Sequence, residues 1–250
     1  MTIATISDSQ RKAATVVGLA YLLALVPAIF AEFYVRAQLI VVDSATQTGQ
    51  NIVAHERLFR LGIASNLTVL AIDVALITAL YVVLKPVGGH LALLAAAWGL
   101  IETATLVVVT LTDLDVLRIL SGAGSLQAFG ADRLDALAML SVRAHGAAYG
   151  VGLVFAGLRS TAFSYLWFRS RFIPRALAAW GVFASFLMGA CAFSFIISPE
   201  LAKYVGVEIY GGPIFLFELT MGCWLLIKGL PPAAGASPDK MSGPAQAGAA

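Results

Sequence analysis

Residues 61–112 read LGIASNLTVLAIDVALITALYVVLKPVGGHLALLAAAWGLIETATLVVVTLT, two long apolar runs on either side of a short break. A bilayer core about 30 Å thick needs about 20 apolar residues in a helix, so each run is long enough to cross it once. The break at 85–90, KPVGGH, contains the proline and glycines that end helices and turn the chain. The segment therefore predicts two transmembrane helices that run in opposite directions.

Four further runs of the same kind lie outside this segment, and the composition agrees with them. The chain is 60% hydrophobic and 12% charged, whereas a soluble domain is about half apolar and about a quarter charged. The runs are continuous rather than alternating, which excludes a transmembrane barrel. We predict an all-α, polytopic membrane helix bundle of about six transmembrane helices, forming one domain over residues 1–229. The predicted spans are 13–34, 61–84, 91–112, 145–168, 176–197 and 209–228.

The segments outside the spans support two predictions. The Pro/Ala/Gly-rich tail at 230–250 has too few large apolar residues to pack and is predicted to be disordered. Residues 126–144 carry a helical apolar stripe, which predicts a separate helix lying on the membrane surface. The stripe consists of Leu126, Phe129, Leu134, Leu137 and Leu140.

Loop charge predicts the orientation of the bundle. The short connection between the fourth and fifth spans carries Arg169, Arg171 and Arg175. Lys and Arg are enriched in cytoplasmic loops, so this connection is expected on the cytoplasmic side. With six spans, both the N-terminus and the C-terminus are then cytoplasmic.

Four of the six spans carry one ionisable residue close to the middle, namely Asp73, Glu102, Arg159 and Glu218. A charge at the bilayer centre costs roughly 2.5–3.5 kcal/mol on insertion scales, and such residues usually face the interior of a bundle. All four lie about 9–11 residues from the cytoplasmic end of their spans, and a helix rises about 1.5 Å per residue. We therefore expect them to share one polar site, with Arg159 paired to one carboxylate.

Two more residues extend this candidate site for a ligand or ion. Asn66 precedes Asp73 by seven residues and so lies on the same helix face. His145 begins the fourth span, where it would line a route inward. The full candidate set is Asp73, Glu102, Arg159, Glu218, Asn66 and His145, with no catalytic and no metal-ligating residue assigned.

Glycines in the fourth span predict a second feature, close packing between helices. Small residues let helix backbones approach one another inside a membrane. The series consists of Gly146, Gly150, Gly152 and Gly157.

Several function classes are not supported by the sequence. The net charge of +2 comes without a basic stripe, so no nucleic acid partner is expected. No Walker or Rossmann glycine pattern and no zinc-type cysteine cluster occurs, so no cofactor is expected. The expected partners are the lipid bilayer and a small solute or ion.

Three hypotheses remain for the function. The first is a small-solute or proton/cation-coupled transporter, or a ligand-binding bundle, which uses the midplane polar cluster. The second is a non-catalytic membrane partner, sensor or assembly factor, in which those residues are fully paired with no cavity between them. The third is a membrane-embedded enzyme that acts on a lipid at the outer interface, which requires His55, His145 and Asp113 to converge.

Several motifs, in order along the chain, resemble a bacterial integral membrane family, domain of unknown function 4386. The resemblance implies a multi-pass protein of about six helices in the bacterial cell (inner) membrane. It implies no established activity, substrate or cofactor. The motifs are NIVAHERLFRLG at 51–62, LKPV at 84–87, LALL at 91–94 followed by Glu102, YLWFRSRFIPR at 165–175, FEL at 217–219 and WLLIKG at 224–229.

Overall fold

The computed structural model of the protein describes residues 6–231, and every regular element in this range is helical. Five helices are long and apolar enough to cross a membrane, which confirms the all-α membrane bundle. A short helix α2 and two 3₁₀ turns, Gly124–Ala128 and Pro199–Lys203, connect them. The tail predicted to be disordered lies, from residue 232 on, outside the described residues. The helices are α1 (Asp8–Leu39), α2 (Ala45–Ala54), α3 (Glu56–Leu120), α4 (Ala131–Ser170), α5 (Arg175–Ile197) and α6 (Val207–Ile227).

Helix α3 is a hairpin of two arms, α3a (56–87) and α3b (89–120). Its 65 residues would extend about 98 Å if straight, three times the thickness of a bilayer core. The backbone leaves the helical conformation at Gly88, where φ is −171° and ψ is 80°. The arms then pack side by side, because a Cβ placed on Gly99 would lie 2.7 Å from Cδ1 of Ile77. The five helices thus supply six membrane-length segments, and the predicted turn at KPVGGH is confirmed.

Both ends of the described chain meet at one end of the bundle, which we call the terminal end. Arg11 Nη2 donates a hydrogen bond of 3.1 Å to the carbonyl oxygen of Pro231. Gln10 Nε2 donates one of 3.0 Å to the carbonyl oxygen of Val83, close to the α3 turn. A chain that crosses the membrane an even number of times has both of its ends on the same side. That the terminal end faces the cytoplasm stays a prediction.

Two hydrophobic cores hold the helices together. The larger core occupies the terminal half, where Leu80, Leu166 and Trp167 are fully buried. The smaller core lies at the opposite, distal end and includes Phe59 and Val142. Along α3a and α3b, the buried polar side chains lie between residues of these two cores. Large apolar side chains also cover the outer surface of the bundle, as contact with a lipid bilayer requires. Examples are Leu23, Val26, Leu100, Phe186 and Phe193.

Helix α4 corrects the prediction for residues 126–144. The separate surface helix is wrong, because residues 131–144 are the first turns of the same helix that continues to Ser170. No glycine or proline occurs between Ala131 and His145 to interrupt it. The buried side is also different from the predicted stripe, since Ala138 and Val142 pack in the distal core while Leu140 is exposed.

Candidate functional site

The polar residues near the middle of the spans line one cavity of about 220 Å³. Its wall includes Asp73 and Asn66 from α3a, Glu102 from α3b, Arg159 from α4 and Glu218 from α6. Five of the six residues predicted for the site are therefore brought together. At about 30 Å³ for each water, the space holds about seven molecules of that size.

Arg159 and Glu102 form a buried ion pair in this cavity. Arg159 Nε lies 2.6 Å from Glu102 Oε2, and Nη2 donates a hydrogen bond of 3.1 Å to Oε1. The two side chains are only 7% and 8% exposed. Gly99 makes room for the pair, because a Cβ there would lie 2.6 Å from Arg159 Cδ. The single guanidinium is thus engaged by one of the three carboxylates, as expected from the sequence.

Asp73 and Glu218 are held differently. Neither forms an ion pair or a side-chain hydrogen bond with any other residue among positions 6–231. Asp73 is buried all the same, with only 9% of its surface exposed, and Glu218 is half-buried on the same cavity wall. When Asp73, Glu102 and Glu218 are ionised, they outnumber the single guanidinium of Arg159, and the carboxyl groups of Asp73 and Glu218 remain available to a ligand.

Most of the remaining wall is apolar. Helix α1 contributes Leu25, α4 contributes Leu153, α5 contributes Met188 and α6 contributes Ile214. Ser160 and the phenol of Tyr149 add the few neutral polar groups. The cavity lining thus combines a few charged side chains with many apolar ones, the usual composition of a small-molecule site.

A second polar network lies on the distal side of the cavity and involves Glu32, Arg36, Asp113 and His145. His145 Nδ1 is 2.9 Å from Asp113 Oδ1 and 3.1 Å from Arg36 Nη1. Arg36 Nη1 is 3.4 Å from Asp113 Oδ1, and Arg36 Nε is 3.5 Å from Glu32 Oε2. Glu32 Oε1 completes the network 3.7 Å from His145 Nε2. This distal network joins α1, α3b and α4.

Glu32 belongs to both sites, since it also lines the cavity. It lies with Arg36 in a π-helical segment of α1, Phe30–Arg36, a rare conformation that is frequent at functional sites. His145 contacts the cavity wall through Tyr149, whose ring stacks on it at a centroid distance of 6.2 Å. The cavity and the distal network are therefore continuous.

Comparison with known proteins identifies the family. The sequence pattern of the family described as Domain of unknown function (DUF4386) matches residues 16–229. The chain belongs to this family. The matched range begins within α1 and ends just after α6, so it contains every residue of the cavity and of the distal network. No curated protein and no solved structure matches the chain.

In this DUF4386 protein, His145 is the one residue of the predicted set that does not line the cavity itself. It lies in the distal network at the distal end of the fourth span, next to Glu32 on the cavity wall, and its role on a route inward stays a prediction. Sequence reasoning missed Glu32 and Arg36, and it considered Asp113 beside His145 only as part of the lipid-enzyme hypothesis. Glu32 lies two residues from the predicted end of the first span, and Asp113 follows the predicted end of the third, so neither has the depth that marks an inward-facing charge.

His55 does not join His145 and Asp113, although the lipid-enzyme hypothesis requires all three. It lies exposed at the end of α2, with Nδ1 3.1 Å from the carbonyl oxygen of Asn51 in its own helix. Within residues 6–231, no group of three or more His, Cys, Asp or Glu side chains is arranged to hold a metal ion. The geometry of the DUF4386 protein therefore does not support that hypothesis.

We expect Asp113→Ala to lower the free energy of unfolding by about 1–3 kcal/mol, because buried His145 Nδ1 and Arg36 Nη1 lose the carboxylate oxygen that they share. Asp115→Ala is the matched control. Asp115 lies two residues away in the same helix, 52% exposed and 3.8 Å from Arg118, and its loss should change stability by less than about 0.5 kcal/mol. Thermal unfolding of the purified protein in nanodiscs measures both. Equal stability of the two variants would show that the distal network contributes nothing to folding.

Proposed function

We propose that the protein is a small multi-pass transporter of the bacterial inner membrane, which binds a small solute or ion in the cavity and couples its movement to protons or another cation. The observation that carries the proposal is that the carboxyl groups of Asp73 and Glu218 line a cavity and have no partner among residues 6–231. Ionisable groups inside membrane segments mark substrate pathways and proton relays.

A purely structural role accounts less well for this arrangement. Polar groups that serve only to join helices are satisfied by one another across the interface. Glu102 and Arg159 fit that description, because they form a close pair. Asp73 and Glu218 do not, because neither side chain has a hydrogen-bonding partner among residues 6–231. Their position on a cavity wall favours a transporter over a partner protein without a ligand.

The surroundings of the cavity favour access to it from one side of the membrane at a time. Toward the distal end, Asn66 and Glu32 continue its polar lining to the distal network. Toward the terminal end, the larger hydrophobic core follows, with fully buried Leu80, Leu166 and Trp167. A central site closed on one side by packed helices is what alternating access requires.

The test uses substitutions that remove charge and keep shape. A strain lacking the gene is first screened for growth over ranges of pH, salt and organic cations, and the conditions that distinguish it from the parent define the phenotype. Asp73→Asn, Glu102→Gln and Glu218→Gln are then introduced at the native locus. We expect Asp73→Asn and Glu218→Gln to reproduce the deletion phenotype while remaining in the membrane at normal levels, whereas Glu102→Gln breaks the ion pair with Arg159 and should also lower the membrane level.

Two exposed acids on the same helices provide matched controls. Asp115→Asn tests α3 and Glu208→Gln tests α6, and both should behave as the parent strain. If Asp73→Asn and Glu218→Gln both retain the parental phenotype at normal membrane levels, the proposed transport mechanism is refuted.

A further inference from the structure

The charge of the cavity and the shape of its wall together indicate the class of solute, if the proposed function holds. Arg159 is engaged by Glu102, so no cation on the wall is available to bind an anionic group. Asp73 and Glu218 would repel an anion. A positively charged solute is instead attracted to both carboxylates. The cavity is therefore suited to a positively charged ligand.

The polar atoms suit an ammonium group better than a bare metal ion. Calcium takes six to eight oxygen ligands, and magnesium requires a nearly ideal octahedron. The cavity offers the carboxylates of Asp73 and Glu218, one amide from Asn66 and two hydroxyl groups from Tyr149 and Ser160. The backbone of α3 and α4 around the cavity is helical, so its carbonyl groups already accept hydrogen bonds within each helix. An ammonium group carries three N–H donors and needs few acceptors, which two carboxylates readily supply.

The apolar wall then requires an apolar body on the solute. Leu25, Leu153, Met188 and Ile214 line the space next to the acids. A fully hydrated inorganic cation would leave this surface in contact with water, whereas an alkyl or aryl group would cover it. The volume of about 220 Å³ holds about seven groups of water or methylene size, at about 30 Å³ each.

We infer that the solute is a small organic amine, bound with its ammonium group between Asp73 and Glu218 and its apolar body against α1, α4, α5 and α6. This assignment rests on the proposed function and names the substrate class of the same cavity. It is independent of the distal network. Hexylammonium, with seven non-hydrogen atoms, matches the available volume and serves as the probe.

The experiment measures binding of hexylammonium to the full chain in nanodiscs at pH 7 by calorimetry. Hexanol and hexanoate have the same body without the positive charge, while sodium and potassium chloride have the charge without the body. Of these five compounds, we expect saturable binding only of hexylammonium. Affinity should rise about fourfold for each methylene from butylammonium to hexylammonium, as burial of one methylene predicts.

Variants locate the binding at the two acids. Asp73→Asn and Glu218→Gln should each weaken binding of hexylammonium by about tenfold or more, because each removes a charged hydrogen-bond acceptor. The double variant should abolish binding. Asp115→Asn and Glu208→Gln should leave it unchanged. Circular dichroism and size-exclusion profiles confirm that each variant is folded before binding is measured.

Three results overturn the inference. They are no binding of hexylammonium, equal binding of hexylammonium and hexanol, or undiminished binding to the folded double variant. If sodium or potassium binds instead and the two substitutions abolish it, the cavity handles inorganic cations, and only the amine assignment fails. If the cavity variants retain the parental growth phenotype, the proposed function itself fails, whatever the nanodisc measurement shows.

Discussion

Arg159→Ala is expected to lower the free energy of unfolding by about 3–5 kcal/mol, the usual effect of removing one partner from a buried ion pair. For a chain of this size, that corresponds to a fall in the thermal midpoint of roughly 6–20 °C. The physical reason is the number of acids. Without the guanidinium, the carboxyl groups of Glu102, Asp73 and Glu218 share a cavity with no cation on its wall. Thermal unfolding in nanodiscs measures the effect.

The matched control is an ion pair of similar length on the surface. Arg60 Nε lies 2.7 Å from Glu56 Oε1, but its side chain is 58% exposed, and such pairs contribute about 0–1 kcal/mol. Arg60→Ala should therefore have little effect. Adding Glu102→Gln to Arg159→Ala should recover part of the lost stability, because it removes one uncompensated charge. The account of the cavity would be contradicted if Arg159→Ala and Arg60→Ala were equally stable.

The second large effect is expected at the contact between α4 and α5. A Cβ placed on Gly157 would lie 2.4 Å from the Cα of Gly189, a backbone atom that cannot rotate away. Gly157→Ala forces the helices apart and should cost about 1–3 kcal/mol of stability, and Gly157→Leu should cost more. The fraction of protein that remains monodisperse after heating, measured by size-exclusion chromatography, reports the loss.

Gly150 provides the control within the same helix. A Cβ at that position would meet no described atom within 4 Å. Gly150→Ala should be neutral or should stabilise the helix by up to about 1 kcal/mol, since alanine is the better helix former. Opposite signs for Gly157→Ala and Gly150→Ala are expected. A loss of stability at Gly150 as large as that at Gly157 would exclude close helix contact as the cause.

Gly157 and Gly150 show how much of the helix packing the glycine series predicts. The series Gly146, Gly150, Gly152 and Gly157 predicts close helix packing in the fourth span. In the structure, only Gly157 has a backbone neighbour that excludes a side chain, while Gly152 is in ordinary contact with Leu106. Spacing along one helix indicates which residues share a face. It does not indicate where another helix crosses that face, because the crossing point depends on both partners.

The polar residues also fall into two groups, those that the sequence predicts as a cluster and those that only the structure identifies. Asp73, Glu102, Arg159 and Glu218 were predictable as one group, because a charge deep in an apolar span is strongly disfavoured in lipid and all four lie at similar depth. Glu32 and Asp113 lie near the ends of their predicted spans, where a charge also reaches water without cost. Only their burial beside Arg36 and His145 separates them from solvated helix ends such as Asp115.

The amino-acid sequence by itself determined the membrane-length helices, the turn at Gly88 and the depth of each charge, since apolar length, chain breaks and position along a helix are properties of a single segment. The tertiary structure decided which charges are neighbours: Arg159 with Glu102, Asp113 with His145, and Asp73 with Glu218 on a shared cavity wall. Those contacts depend on the rotation of each helix about its axis and on the helices beside it. The π-helical segment of α1 changes that rotation locally, and no residue in the segment predicts the change from sequence.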